Sequence, residues 1–159
     1  MKFIVDCMLG KLAKWLKILG FDTLYFSKIE DENFLKLAAQ EARIILTRDT
    51  GLIEKSGQMK HLFISSENWQ EQLQQVLDAF DLWDKVKPNS RCLECNVELK
   101  SLSRQSAKNL VAPFIYEHAQ SFAICPQCGR VYWQGTHYQE MEAKIHEILS
   151  ERNKSKKSK

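Results

Sequence analysis

Apolar side chains recur along the first half of the chain in two rhythms that take turns. Lys2–Val5 (KFIV) is a short apolar run of the strand type. In Met8–Leu19, Leu9, Leu12, Leu16 and Leu19 fall at helical spacing, and Gly20 stands where a helix C-cap would lie. Thr23–Phe26 is β-branched and aromatic, a second strand. Asp31–Glu41 returns to helical spacing through Phe34, Leu35, Leu37 and Ala38, with Asp31 as a candidate N-cap. Arg43–Thr47 (RIILT) gives a third strand, Thr50–Glu54 a short helical turn, His61–Ile64 a fourth strand and Asn68–Phe80 a long helix. Strands alternating with helices through short links predict an α/β fold, a parallel sheet with flanking helices.

In such sheets the reactive groups gather beyond the carboxyl ends of the strands. Asp6 follows the first strand at once, and Asp49 lies just past the third, so both carboxylates are expected on one edge. With Asp31 they form the candidate catalytic set. Converging carboxylates repel one another unless a cation lies between them, and hard oxygen ligands suit Mg²⁺ or Mn²⁺. Ions of that class activate water in phosphodiester cleavage. Lys11, Lys14 and Lys17 recur every three residues around the first helix, and Arg48 adjoins Asp49, so these are candidates for holding a phosphate backbone. Plainer roles stand beside each. An Asp after a strand often caps the next helix, lysines can form a solvated face, and Cys7 can be a small buried hydrophobe.

The alternation stops at Lys85–Ser90 (KVKPNS), where Pro88 and Asn89 break the spacing. We therefore expect an α/β domain over residues 1–86, a second module with a terminal helix (Tyr138–Leu149) over 90–150, and a loose tail over 151–159. Four of the five cysteines form two C-x-x-C pairs, Cys92/Cys95 and Cys125/Cys128, with 29 residues between them. Two such pairs supply the four thiolates of a closed, structural zinc site. The long separation predicts a hairpin or excursion between them.

Hydrophobic content of 44% is enough for a core, and no apolar stretch approaches a membrane span. Without a secretory signal, a cytoplasmic protein with reduced thiols is expected. The net charge of +3 comes from the tail: residues 152–159 hold five basic groups, and without them 18 basic face 20 acidic side chains. The body therefore carries no strongly basic face from composition alone.

Four stretches in order, DCMLGKLAKWLKILGFDT, IEDENFLKLAAQEARIILTRD, RCLECNVEL and CPQCGRVYWQGTHYQEM, resemble the PIN-like RNase family named after the C-terminal domain of the nematode Mut-seven protein. The resemblance runs from about Lys2 to Met141. It implies a PIN-like nuclease core followed by a zinc ribbon, acting on RNA, taken as single-stranded, with divalent cations. Residue by residue, it implies Asp6 as the acid ending the first strand, Asp31 as the acid opening the second helix and Asp49 as the acid of the TRD step. Asp22 and Glu30 are the nearest options for a fourth. It also gives zinc at Cys92, Cys95, Cys125 and Cys128, and Mg²⁺ or Mn²⁺ at the acids. Trp133 or Tyr132 offers a stacking face, and His137 (GTHY) joins Lys11, Lys14 and Arg48 as a substrate-binding candidate. The rival expectation is a non-catalytic RNA- or protein-binding adaptor on the same fold. A toxin-type PIN protein fits less well, since such toxins usually lack a ribbon. The substrate RNA, the mode of cleavage and the oligomeric state stay open.

Overall fold

The computed structural model describes residues 1–157, with side chains as far as Arg152. The end of the expected tail, Ser158 and Lys159, lies outside the described residues. The chain divides into two units, Met1–Asn89 and Ser90 onward.

Four parallel strands carry the first unit: β1 (Lys2–Val5), β2 (Asp22–Tyr25), β3 (Ile44–Thr47) and β4 (His61–Phe63), in the order β2-β1-β3-β4. Between and after them run α1 (Gly10–Ile18), α2 (Asp31–Gln40), α3 (Thr50–Ser56) and α4 (Trp69–Ala79). The chain steps outward from β1 to β2, then crosses back over β1 to reach β3. Strand order therefore reverses between β1 and β3, the place where open α/β sheets bind ligands.

Alternation along the strands divides the core between the two sheet faces. Ile4 and Ile45, paired in register, bury against Phe34 and Ala38 of α2 and Leu52 of α3. On the other face Phe3 meets Phe21 and Phe80, the residues that follow α1 and α4. Trp15 of α1 stacks on Trp69 of α4 with ring centroids 4.8 Å apart. Central strands buried on both faces read as unbroken apolar runs, as FIV and IIL do here.

α1 starts later than its spacing predicts. Asp6 stays in the ladder through its N–H, which donates to the Leu46 carbonyl at 3.0 Å, and Leu9 N–H then closes a tight turn on the Asp6 carbonyl at 2.9 Å. Cys7–Leu9 form that single 3₁₀ turn before the helix begins at Gly10. Gly10 is required there by close approach: a Cβ would lie 2.8 Å from the Tyr25 hydroxyl, which donates to the Cys7 carbonyl at 3.0 Å.

At the opposite, N-terminal edge of the sheet, buried Arg43 ties three segments together. Its guanidinium donates to the Phe3 carbonyl at 3.0 Å and to Asp22 at 2.6 Å, and pairs with Glu41 at 2.7 Å. A buried cation needs such partners.

The second unit contains the antiparallel sheet β5 (Lys100–Leu102), β6 (Phe122–Ile124) and β7 (Val131–Trp133). The excursion between the cysteine pairs includes two short helices, α5 (Arg104–Ala107) and α6 (Pro113–His118). Its small core is Ala107, Ala119 and Phe122, flanked by Leu102, Ile115 and Tyr116. Helix α7 spans Thr136–Lys157, beyond the Leu149 end that the apolar spacing predicts and into the segment expected as a loose tail. No Gly or Pro interrupts those residues, so nothing in the sequence stops the helix. Among the described residues no helix is long and apolar enough to cross a membrane.

Gly10→Ala should cost about 1–3 kcal/mol in urea unfolding through overpacking. The cost should shrink in a Tyr25→Phe background, which removes the nearest of the atoms the methyl group meets and leaves the ring carbon at 3.0 Å. Equal costs in both backgrounds would contradict the close-approach explanation.

Candidate active site and metal centre

The switch point between β1 and β3 places two of the three candidate acids side by side along the chain's hydrogen-bond network. Asp6 is 8% exposed, and its Oδ2 accepts a bond from the Thr47 hydroxyl at 2.9 Å. The same hydroxyl accepts the Asp49 N–H at 2.9 Å. One fully buried threonine thus joins the carboxylate ending β1 to the backbone that follows β3. The Asp49 side chain is exposed at the N-cap of α3, where Oδ1 accepts from the Gly51 and Leu52 amides at 2.8 and 3.3 Å. That is the capping role its position also allowed.

Asp31 is not the N-cap of α2, as its spacing suggested. Glu30 holds that position without a side-chain cap bond, and Asp31 opens the helix itself. Its Oδ2 accepts from Lys55 Nζ at 2.6 Å, and this hydrogen bond and the carboxylate's charge raise the lysine above its ordinary range, with a smaller contribution from Asp49. Lys55 therefore feels both exposed acids. The three carboxylates do not close into a cluster within 4.8 Å of one another; among the described residues the four cysteines alone do so. Of the fourth-acid options, Asp22 lies at the wrong edge, held by Arg43, and Glu30 is exposed at the start of α2.

Cys7 is exposed, not buried as its type suggests. A hydrogen bond to the Asp6 carboxylate, partial desolvation and that negative charge push the thiol above the usual range. Lys11 reaches over the Trp69 ring at 5.0 Å, Lys14 is exposed, and Arg48 makes an exposed pair with Glu67 at 3.4 Å. Trp133 and His137 belong to the second unit, the first 40% exposed and the second with a fully exposed side chain. Nothing in the pattern singles out Thr47 or Lys55, because a strand-end threonine and a helical lysine are ordinary residues.

The two C-x-x-C turns repeat one geometry. Cys92 N–H donates to the Val97 carbonyl and Asn96 N–H to the Cys92 carbonyl, both at 2.9 Å; Cys125 with Arg130, and Gly129 with Cys125, do the same at 2.9 Å. Asn96 and Gly129 sit at corresponding positions with φ of 64° and 74°, the left-handed region that Gly and Asn adopt most readily. In each turn the second cysteine's amide points at the first one's sulfur, at 3.4 Å. The Cys92 and Cys128 sulfurs are 3.8 Å apart. Four sulfurs about 2.3 Å from a tetrahedral zinc would be about 3.8 Å from one another, so the donor set fits a metal such as zinc. Tyr132 donates its hydroxyl to Cys92 Sγ at 3.2 Å while accepting the Leu93 amide at 3.0 Å. It supports the cluster and is not a free stacking face. Burial works against the Cys92 thiolate, yet these amide and hydroxyl donors hold its thiol down to about 6. Burial and the neighbouring thiols push Cys95 up to about 12. Four thiolates this close would repel one another unless a cation lay between them.

A parallel α/β sheet with acids at its switch point, joined to a four-cysteine cluster, defines the class of protein. The family model described as the Mut7-C RNAse domain matches residues 1–145, and the chain belongs to that family. Family membership indicates a ribonuclease-type function with RNA as substrate. No curated protein and no solved structure matches the chain.

Metal analysis of protein never exposed to chelator should find about one zinc per chain, lost in Cys92→Ser/Cys128→Ser. Tyr132→Phe should lower zinc affinity about 10–100-fold, the usual effect of losing a supporting hydrogen bond, read by competition with a chromogenic chelator. Unchanged affinity would remove Tyr132 from the metal centre.

Proposed function

We propose that this chain is a divalent-metal-dependent ribonuclease that cleaves single-stranded RNA. Residues 1–86 form the nuclease core and 90–150 a zinc ribbon. The observation that carries the reading is Asp6, a carboxylate 8% exposed at the switch point that pairs with no basic side chain among the described residues. Burying a charge without a counter-ion is costly, and a cation bound at that edge would offset the cost.

Asp6, Asp49 and Asp31 would hold Mg²⁺ or Mn²⁺. Bound there, such an ion supplies an activated water and stabilises the oxygen leaving the phosphodiester. Thr47 fixes the Asp6 oxygen, while Asp49 keeps Oδ2 clear of the cap that occupies Oδ1. Asp31, on an exposed helix start, orients the attacking water. Lys11, Lys14 and Arg48 hold the RNA backbone, and Trp133 offers a base-stacking face worth about 1–3 kcal/mol. The thiolate site is closed, with no open position, so its zinc folds the second unit and takes no part in cleavage. Reduced thiols suit a cytoplasmic setting.

Cleavage of generic single-stranded RNA should require Mn²⁺ or Mg²⁺, with Asp6→Asn and Asp49→Asn each lowering the rate about 100-fold or more. RNA binding that survives both substitutions, with no products at any metal concentration, would instead identify a non-catalytic adaptor.

A further inference from the structure

Of the three acids, Asp31 alone is held by an exchangeable partner. Asp6 is locked by a buried hydroxyl and Asp49 by two helix amides. Asp31 is held by Lys55, and both side chains are open to solvent, 60% for the lysine and 49% for the acid. An exposed pair of this kind is favoured less than about fivefold over its open form. Lys55 sits at the C-terminal end of α3, the helix capped by Asp49, and its ammonium reaches the first turn of α2. A cation at a helix N-terminus opposes the helix dipole, so the carboxylates are what recommend this position. The ammonium stands where a second cation would be repelled.

We propose that Lys55 is an internal competitor for Asp31: its ammonium holds that carboxylate until the phosphate of bound RNA draws the lysine away, so RNA and the divalent ion each favour the other's binding. This rests on the metal-dependent reading above. Phosphate is a strong charge-assisted acceptor, and lysine binds it as a mobile point charge. Release of Lys55 then frees Asp31 to complete the metal's ligand set as substrate arrives. By linkage, an RNA that tightens the ion must be tightened by it to the same degree.

The test is Mn²⁺ binding, followed by the electron paramagnetic resonance of the free ion, with and without a phosphorothioate single-stranded RNA. Wild-type protein should bind Mn²⁺ about fivefold or more tightly when the RNA is present. Lys55→Gln should tighten Mn²⁺ alone about two- to fivefold and shrink the further gain from RNA, whereas Lys55→Arg should keep wild-type behaviour. Matching thermal unfolding of Lys55→Gln and wild type would show the fold is intact. If Asp6→Asn abolishes Mn²⁺ binding while Lys55→Gln matches wild type with and without RNA, the competitor role is overturned and the metal reading stands. If Asp6→Asn leaves Mn²⁺ affinity unchanged, the metal reading fails and the competitor role falls with it.

Discussion

A single hydroxyl proton settles how the candidate site is assembled. Thr47 has one proton to give, and it gives it to Asp6; the oxygen then accepts the Asp49 amide. The bridge depends on the register of β1 against β3, which places Val5 beside Leu46 and brings the next residues of both strands to the same edge. Its loss would strand buried polar groups at a cost of about 1–3 kcal/mol each. With its backbone fixed, Asp49 caps α3, and α3 carries Lys55 to the acid that opens α2. Each step is local, yet together they bring three segments distant in sequence under one constraint.

The two units reach stability by different routes. The first buries a two-faced sheet, with Phe3, Ile4, Ile45 and Leu46 fully inside. The second has a small cluster of two alanines and one phenylalanine, with Arg104 laid over the Tyr116 and Phe122 rings, and buries Ile145 and Ile148 of α7 as well. A metal bound at the four cysteines would supply much of its folding free energy. The matched turns at Cys92–Asn96 and Cys125–Gly129 already hold the Cys92 and Cys128 sulfurs 3.8 Å apart and all four within 4.8 Å of one another. On the proposed function, chemistry and stapling would be divided between an oxygen site and a sulfur site, each suited to a different class of metal.

Much of this was legible in the residues. Alternating spacing locates the four strands and their helices, and the cysteine pairs announce a thiolate cluster. By residue type Gly129 signals a left-handed turn, whereas its counterpart Asn96 does not, because asparagine has many other uses. What spacing could not show is how a side chain chooses among partners. Asp31 looks like a cap but opens the helix and pairs with a lysine 24 residues on. Asp22 looks like an active-site acid until strand direction puts it at the far edge with Arg43. Tyr132 and Trp133 are neighbours of similar promise, yet the alternation of β7 sends the first to a cysteine sulfur and leaves the second to solvent. The end of α7 escaped because an apolar stripe marks where a helix packs, not where it stops.

Asp6 and its two companion acids are proposed to share a divalent cation. Anomalous diffraction from crystals soaked in Mn²⁺ tests this sharing most directly. A peak should appear bonded to a carboxylate oxygen of Asp6 and to Asp49, with Asp31 turned from Lys55 toward it. Manganese absent from that edge, with Asp6 bonded solely to Thr47 and Cys7, would contradict it.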